Sequence, residues 1–189
     1  HSTGGVHAVD HLVDAAFLDE KYLDAAIACG EFLRDQHLRN GRLLRVSRDR
    51  VAGPHAGVLE DYACVAKAFC DLAAATADGS WLDDASELLE RVVADFAAPD
   101  GGFFDTAAGA EELIVRPRDL GDNASPSGHS AMIHACLSYV ALTGSTRFGE
   151  VADSVDNHER ALPAVGLIGA ADKAIFIMPG GQFLREPGC

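Results

Sequence analysis

The chain is 189 residues long, enough for one domain with a sizeable core, and 48% of it is hydrophobic, which excludes a disordered polymer. A formal net charge of −14 has the wrong sign for nucleic acid or an anionic membrane, and no charge-free run of about 20 apolar residues is present to span a bilayer. Five cysteines without a CxxC pair, three of them (Cys64, Cys70, Cys136) inside apolar helical runs, predict reduced thiols and a cytoplasmic setting. A start at His1 in place of Met predicts a chain that is processed or cut from something longer.

In chain order, Val6, Val9, Leu12, Val13, Ala16 and Phe17 fall on one side of a helix over 6–17. His7 and His11 lie one turn apart on it, but no third ligand follows, so the polar face of an amphipathic helix explains them and no metal is expected. A second helix is predicted over 20–37 and is broken by Asn40-Gly41. The helix over 58–76 is apolar almost all round. Its successor, 81–96, has one clean stripe of Leu82, Ala85, Leu88, Leu89, Val92, Val93 and Phe96 against a charged face.

The stretch 126–143, framed by Ser125 as N-cap, Pro126 at the first helical position and Gly144 as stop, again has almost no polar face. Such a helix is expected to be buried on all sides, and both apolar helices more deeply than 81–96. Fully buried helices alternating with half-exposed ones require two layers. A repeat near sixty residues supports them: Asn40-Gly41-Arg42-Leu43-Leu44-Arg45 is echoed by Asp100-Gly101-Gly102-Phe103-Phe104-Asp105. Tyr22-Leu23-Asp24, Trp81-Leu82-Asp83 and, more faintly, Phe148-Gly149-Glu150 mark the starts of outer helices. Helical hairpins that cannot bury their faces alone build a solenoid or a closed toroid. The expected division is a toroid segment over 1–154 and a divergent tail over 155–189.

Two loops, Arg48–Leu59 and Arg116–Ser127, each end at the N-terminus of a buried helix, where free N–H groups favour anions and acceptors. In a toroid they open on one mouth. Glu60 and Asp61 stand in the first turn, either as a general acid and base or as acids that complement the helix dipole. One of them is expected within reach of the second loop. His129, also in a first turn, is expected neutral, as a wall residue or a base. No cofactor motif of the GxGxxG, P-loop or GxSxG kind is present, and no cofactor is expected.

The strings Arg45-Val46-Ser47-Arg48-Asp49, Ala56-Gly57-Val58-Leu59-Glu60-Asp61-Tyr62-Ala63, Asp100-Gly101-Gly102-Phe103-Phe104-Asp105-Thr106, Arg116-Pro117-Arg118-Asp119 and Asp122-Asn123-Ala124-Ser125-Pro126-Ser127-Gly128 resemble one family. It is the thioredoxin-domain-containing family of the spermatogenesis-associated protein, in its C-terminal region. That region is similar to N-acylglucosamine 2-epimerase and the six-hairpin glycosidases. The resemblance covers roughly Val6 to Glu150 and implies an all-α fold, an (α/α)6 barrel of which this chain holds an incomplete part. It also implies a pocket for a carbohydrate at the N-terminal ends of inner helices, with an epimerase or glycoside hydrolase as the enzyme if there is one. On these positions it points to Glu60 and Asp61 as catalytic candidates; His129, a third candidate from its place in a first turn, stands where the family pattern has a different residue. Tyr62, Arg116, Asp119, Asp122, Asn123 and Ser127 are its substrate-binding candidates. A non-catalytic helical scaffold or binding module is the alternative. The expected partners are a carbohydrate and either the remaining hairpins of a parent protein or a second copy, because terminal hairpins leave apolar flanks.

Overall fold

A computed structural model describes residues 20–99, 101–109, 116–118 and 127–161, the side chains of 20 and 158–161 apart. The predicted helix over 6–17 with His7 and His11, the candidates Asp119, Asp122 and Asn123, and the tail beyond 161 lie outside the described residues.

Among the described residues five α-helices follow one another as antiparallel hairpins: α1 (Glu20–Phe32), α2 (Leu59–Thr76), α3 (Ser80–Asp95), α4 (Gly128–Thr143) and α5 (Thr146–Ala161). Where one helix was expected over 20–37, α1 gives way at Leu33 to a single wide turn, Leu33–His37. The Leu38 N–H reaches back to the Leu33 carbonyl, five residues away, and Leu38 is already extended. Two minimal hairpins come next, β1 (Leu38–Arg39) with β2 (Arg42–Leu43), and β3 (Ser47–Arg48) with β4 (Val51–Ala52). Asn40 and Gly41 both take positive φ, 54° and 71°, the pair that a two-residue turn between right-twisted strands requires.

α2 is the centre of the core. From Leu59 to Ala73 none of its residues is exposed; Leu59, Val65, Phe69, Cys70 and Leu72 are sealed between the neighbouring helices. It packs against α1, α3 and α4. α3 behaves as its sequence stripe demands: Trp81, Ala85, Leu88, Leu89 and Val92 are buried, while Asp83 and Glu87 face solvent. α5 lies on the outside of α4 and buries Phe148, Ala152 and Val155.

The expectation for α4 fails in part. Its buried residues, His129, Ala131, Met132, Ala135 and Cys136, face α2, but Leu137 is 51% and Leu142 44% exposed, and His134 and Ala141 are exposed as well. It is therefore no better covered than α3. Among the described residues α2 and α5 pack against it and leave Leu137, Ala141 and Leu142 uncovered. Its start is also shifted: Ser127, not Ser125, is the N-cap, accepting the Ser130 N–H at 3.2 Å.

Candidate functional site at the inner-helix N-termini

The sixty-residue repeat reappears as geometry. After α1 the chain turns at Asn40-Gly41; after α3 it turns at Gly101-Gly102, whose φ values are 94° and 68°, and Phe103 bridges back to Ala97. Each returning strand is then fastened to the first turn of the next inner helix by a ring side chain. The Leu43 N–H donates to the Tyr62 hydroxyl at 2.9 Å, and sixty positions on, the Phe103 N–H donates to His129 Nε2 at 3.0 Å. An imidazole that accepts at Nε2 is neutral with its proton on Nδ1, which meets the expectation of a neutral His129 by a hydrogen bond as well as by the helix dipole.

These fastenings bring the loops together. The Leu59 N–H, an orphan donor of the first turn of α2, donates to the Asp105 carbonyl at 2.9 Å, and the Asp105 N–H donates to the Pro117 carbonyl at 3.0 Å. Gly128 lies so close to Leu59 that a Cβ there would sit 3.0 Å from the leucine side chain. The described parts of both loops thus share the N-terminal ends of α2 and α4.

Asp61 is 7% exposed, and its Oδ2 accepts the Val58 N–H at 2.9 Å and lies 3.3 Å from Arg45 Nε. Burial pushes its carboxyl up, opposed by the Val58 hydrogen bond and by the charges of Arg45 and His37. These partners belong to the first hairpin, so the expected link from Asp61 to the second loop is made instead by the backbone of Leu59. His37 is pinned in turn: its Nδ1 lies 2.6 Å from the Leu44 carbonyl, to which it donates, and its own carbonyl accepts the Leu44 N–H at 2.9 Å.

Arg116 donates to the carbonyls of Thr106 and, at 3.1 Å, of Asp95, and its guanidinium lies 4.2 Å from the Phe104 ring centre. Arg118 stands over the same ring at 4.8 Å and donates to the Gly101 carbonyl at 2.8 Å. The two arginines hold the second returning strand in place by carbonyl and ring contacts.

Between the first loop and the segment that follows the second returning strand opens a groove of about 510 Å³, lined by Arg42, Arg45, Val46, Pro54, His55, Ala56, Gly57, Val58, Thr106 and Gly109. Arg45 also borders a smaller cavity of about 70 Å³ that contains His37 and Asp61. Among the described residues no group of His, Cys, Asp and Glu is arranged to hold a metal ion, and no helix is long and apolar enough to cross a membrane.

No family model matches the chain. Over 142 residues, 69% of its length, it is 33% identical to mouse spermatogenesis-associated protein 20; over 147 residues, 75% of its length, it is 31% identical to the human protein. The chain is a homologue of spermatogenesis-associated protein 20. It spans 18% of the length of these relatives. Among solved structures it is similar to cellobiose 2-epimerase from Spirochaeta thermophila, with a TM-score of 0.68 and 17% identity over 83% of this chain and 42% of that one. The GH76 α-mannanase of Bacteroides thetaiotaomicron gives 0.65 and 14%, over 83% of this chain and 43% of its own. At these identities the likeness shows the fold: this spermatogenesis-associated protein 20 homologue is part of a six-hairpin (α/α)6 toroid.

On this homologue the site residues sort by what they touch. Tyr62, 3% exposed and edge-on to Phe96 at 5.2 Å, is spent inside the core, as is fully buried His129. Asp61 caps α2, and Ser127 caps α4. Glu60, half-buried in the same first turn, takes no hydrogen bond or ion pair among the described residues. The residues that line the groove, Arg42, Arg45, His55 and Thr106, were not singled out for the site. Arg45 and Thr106 lie within the quoted family strings, and the cluster of arginines over residues 34–50 was the signal for Arg42.

Proposed function

We propose that the segment binds a carbohydrate in the groove beside the N-terminus of α2, as part of a six-hairpin epimerase- or glycosidase-like toroid. The observation that carries this is the groove itself. It stands at the N-terminal end of the inner helix α2, is within the volume range of small-ligand clefts, and is walled by hydrogen-bonded backbone. Arg42, His55 and Thr106 supply polar groups for hydroxyls, while Tyr62, His129, Arg116 and Asp61 position the segments that carry them. Cys29, Cys64, Cys70 and Cys136, none of them in a disulfide among the described residues, favour a reducing, cytoplasmic setting. Equilibrium titration with a panel of neutral and anionic mono- and disaccharides tests the reading. Saturable binding of at least one sugar, lost on Ala56→Trp, which fills the groove from an exposed position, is expected. Failure of every sugar, or binding indifferent to Ala56→Trp, overturns it.

A second reading, a non-catalytic helical module, draws on two observations: the commitment of Asp61, Tyr62 and His129 to structural hydrogen bonds, and the open face of α4. On this reading Leu137 and Leu142 pack against further hairpins of a longer chain or against a second copy. Sedimentation of the chain at micromolar concentration tests the second-copy form of this reading, which expects self-association that Leu137→Glu abolishes; a monomer leaves α4 to further hairpins of a longer chain.

A further inference from the structure

We infer that the groove takes an anionic sugar, one carrying a phosphate or a carboxylate. This rests on the carbohydrate reading above and narrows it. Charge in this chain is segregated: residues 34–50 hold six arginines (34, 39, 42, 45, 48 and 50) against two aspartates, whereas the rest holds nine cations against 27 acids. Not all six are available to a ligand. Arg34 is stacked 3.9 Å from the Trp81 ring and paired with Asp84, Arg39 donates to Gln36, Arg48 pairs with Asp49 in solvent, and Arg50 lies over Phe32.

Arg42 and Arg45 are different. Both line the groove, with His55, and no acidic side chain is among its described lining residues in a chain with 29 acids. Arg42 is exposed and has no hydrogen bond or ion pair among the described residues. Arg45 is offset by Asp61, but the 3.3 Å contact is not aligned as a hydrogen bond, and its buried Nε takes none. Asp61 itself lines the small cavity and not the groove. The groove therefore presents a net positive wall inside an acidic protein. Arginine forks match phosphate and carboxylate oxygens, and the apolar Val46 and Pro54 beside them offer a surface for a sugar ring. The surrounding negative charge would repel anions in general, so a cationic lining maintained against it points to a ligand that is itself anionic.

The test is calorimetric titration of the full chain with glucose 6-phosphate, glucuronate, glucose and inorganic phosphate, at low and at high salt. Glucose 6-phosphate or glucuronate is expected to bind about tenfold or more tightly than glucose. The preference should fall at high salt and collapse in Arg42→Gln, but persist in Arg48→Gln, which removes a solvent-exposed arginine outside the groove. Arg42 is exposed, so circular dichroism of its variant should match the parent. Glucose binding as tightly as either anionic sugar overturns the inference while leaving the carbohydrate reading intact. Inorganic phosphate binding as tightly as glucose 6-phosphate, still dependent on Arg42, keeps the anion site and overturns the sugar. An anion preference unchanged in Arg42→Gln, or no binding by any probe, also overturns the inference.

Discussion

α2 and α4 are nearly the same helix by composition, yet the structure treats them differently. Both are apolar on almost every side, and their N-terminal ends meet where Gly128 approaches Leu59. α2 is packed by α1, α3 and α4 and leaves nothing exposed between Leu59 and Ala73; α4 is packed by α2 and α5 and still shows Leu137, Ala141 and Leu142 to solvent. An apolar circumference thus reports a place in the inner layer of a ring, and whether that place is filled depends on chain beyond the helix. The 42% and 43% shares of the two toroid structures covered here agree with a segment that has a covered inner helix and an open one.

Substitutions can sharpen that contrast. The largest effect is expected at Phe69→Ala in α2, a fully buried ring tilted 5.3 Å from that of Trp81; about 3–5 kcal/mol of unfolding free energy should be lost, read from urea denaturation. Asp61→Ala removes the cap of Val58 and leaves Arg45 facing no carboxylate, so about 2 kcal/mol is expected from the same measurement. Asp61→Asn should cost less and carries a pH signature. Burial raises the carboxyl, so the folded protein holds this proton more tightly than the unfolded chain. Its contribution is full below the unfolded pKa and is lost as pH rises through the folded one. The asparagine variant should lack that decline in a series of melts across the acidic range.

The fold was legible because hydrophobic periodicity and a sixty-residue echo are properties of the chain alone. The paired fastenings of Leu43 to Tyr62 and Phe103 to His129 show why the echo exists: each returning strand must tie one N–H to the next inner helix. The site was legible only as a place. Position in a first turn does not say whether Asp61 faces a ligand or its own backbone, since one acidic residue serves either end, and only the direction of its oxygens decides. The shifted start of α4 has the same origin. Ser125 and Ser127 are equal candidates by type, and the close approach of Gly128 to Leu59 favours the later one.

Smaller effects complete the contrast. Gly128→Ala should cost about 1 kcal/mol, because the new methyl presses on Leu59 where α2 and α4 meet, partly offset by better helix propensity. Leu137→Ser on the open face of α4 should change stability by less than about 0.5 kcal/mol; a loss comparable to that of Phe69→Ala would mean that α4 is covered as fully as α2.

The central claim is that ligands enter at the N-terminal ends of the inner helices and not along the open flank of α4. Amide NMR shifts on titration with glucose 6-phosphate test it most directly. The account predicts saturable shifts concentrated at Gly57, Val58 and Thr106, with His134, Leu137 and Ala141 unmoved. Shifts that run down the exposed face of α4, with the groove unchanged, would contradict it.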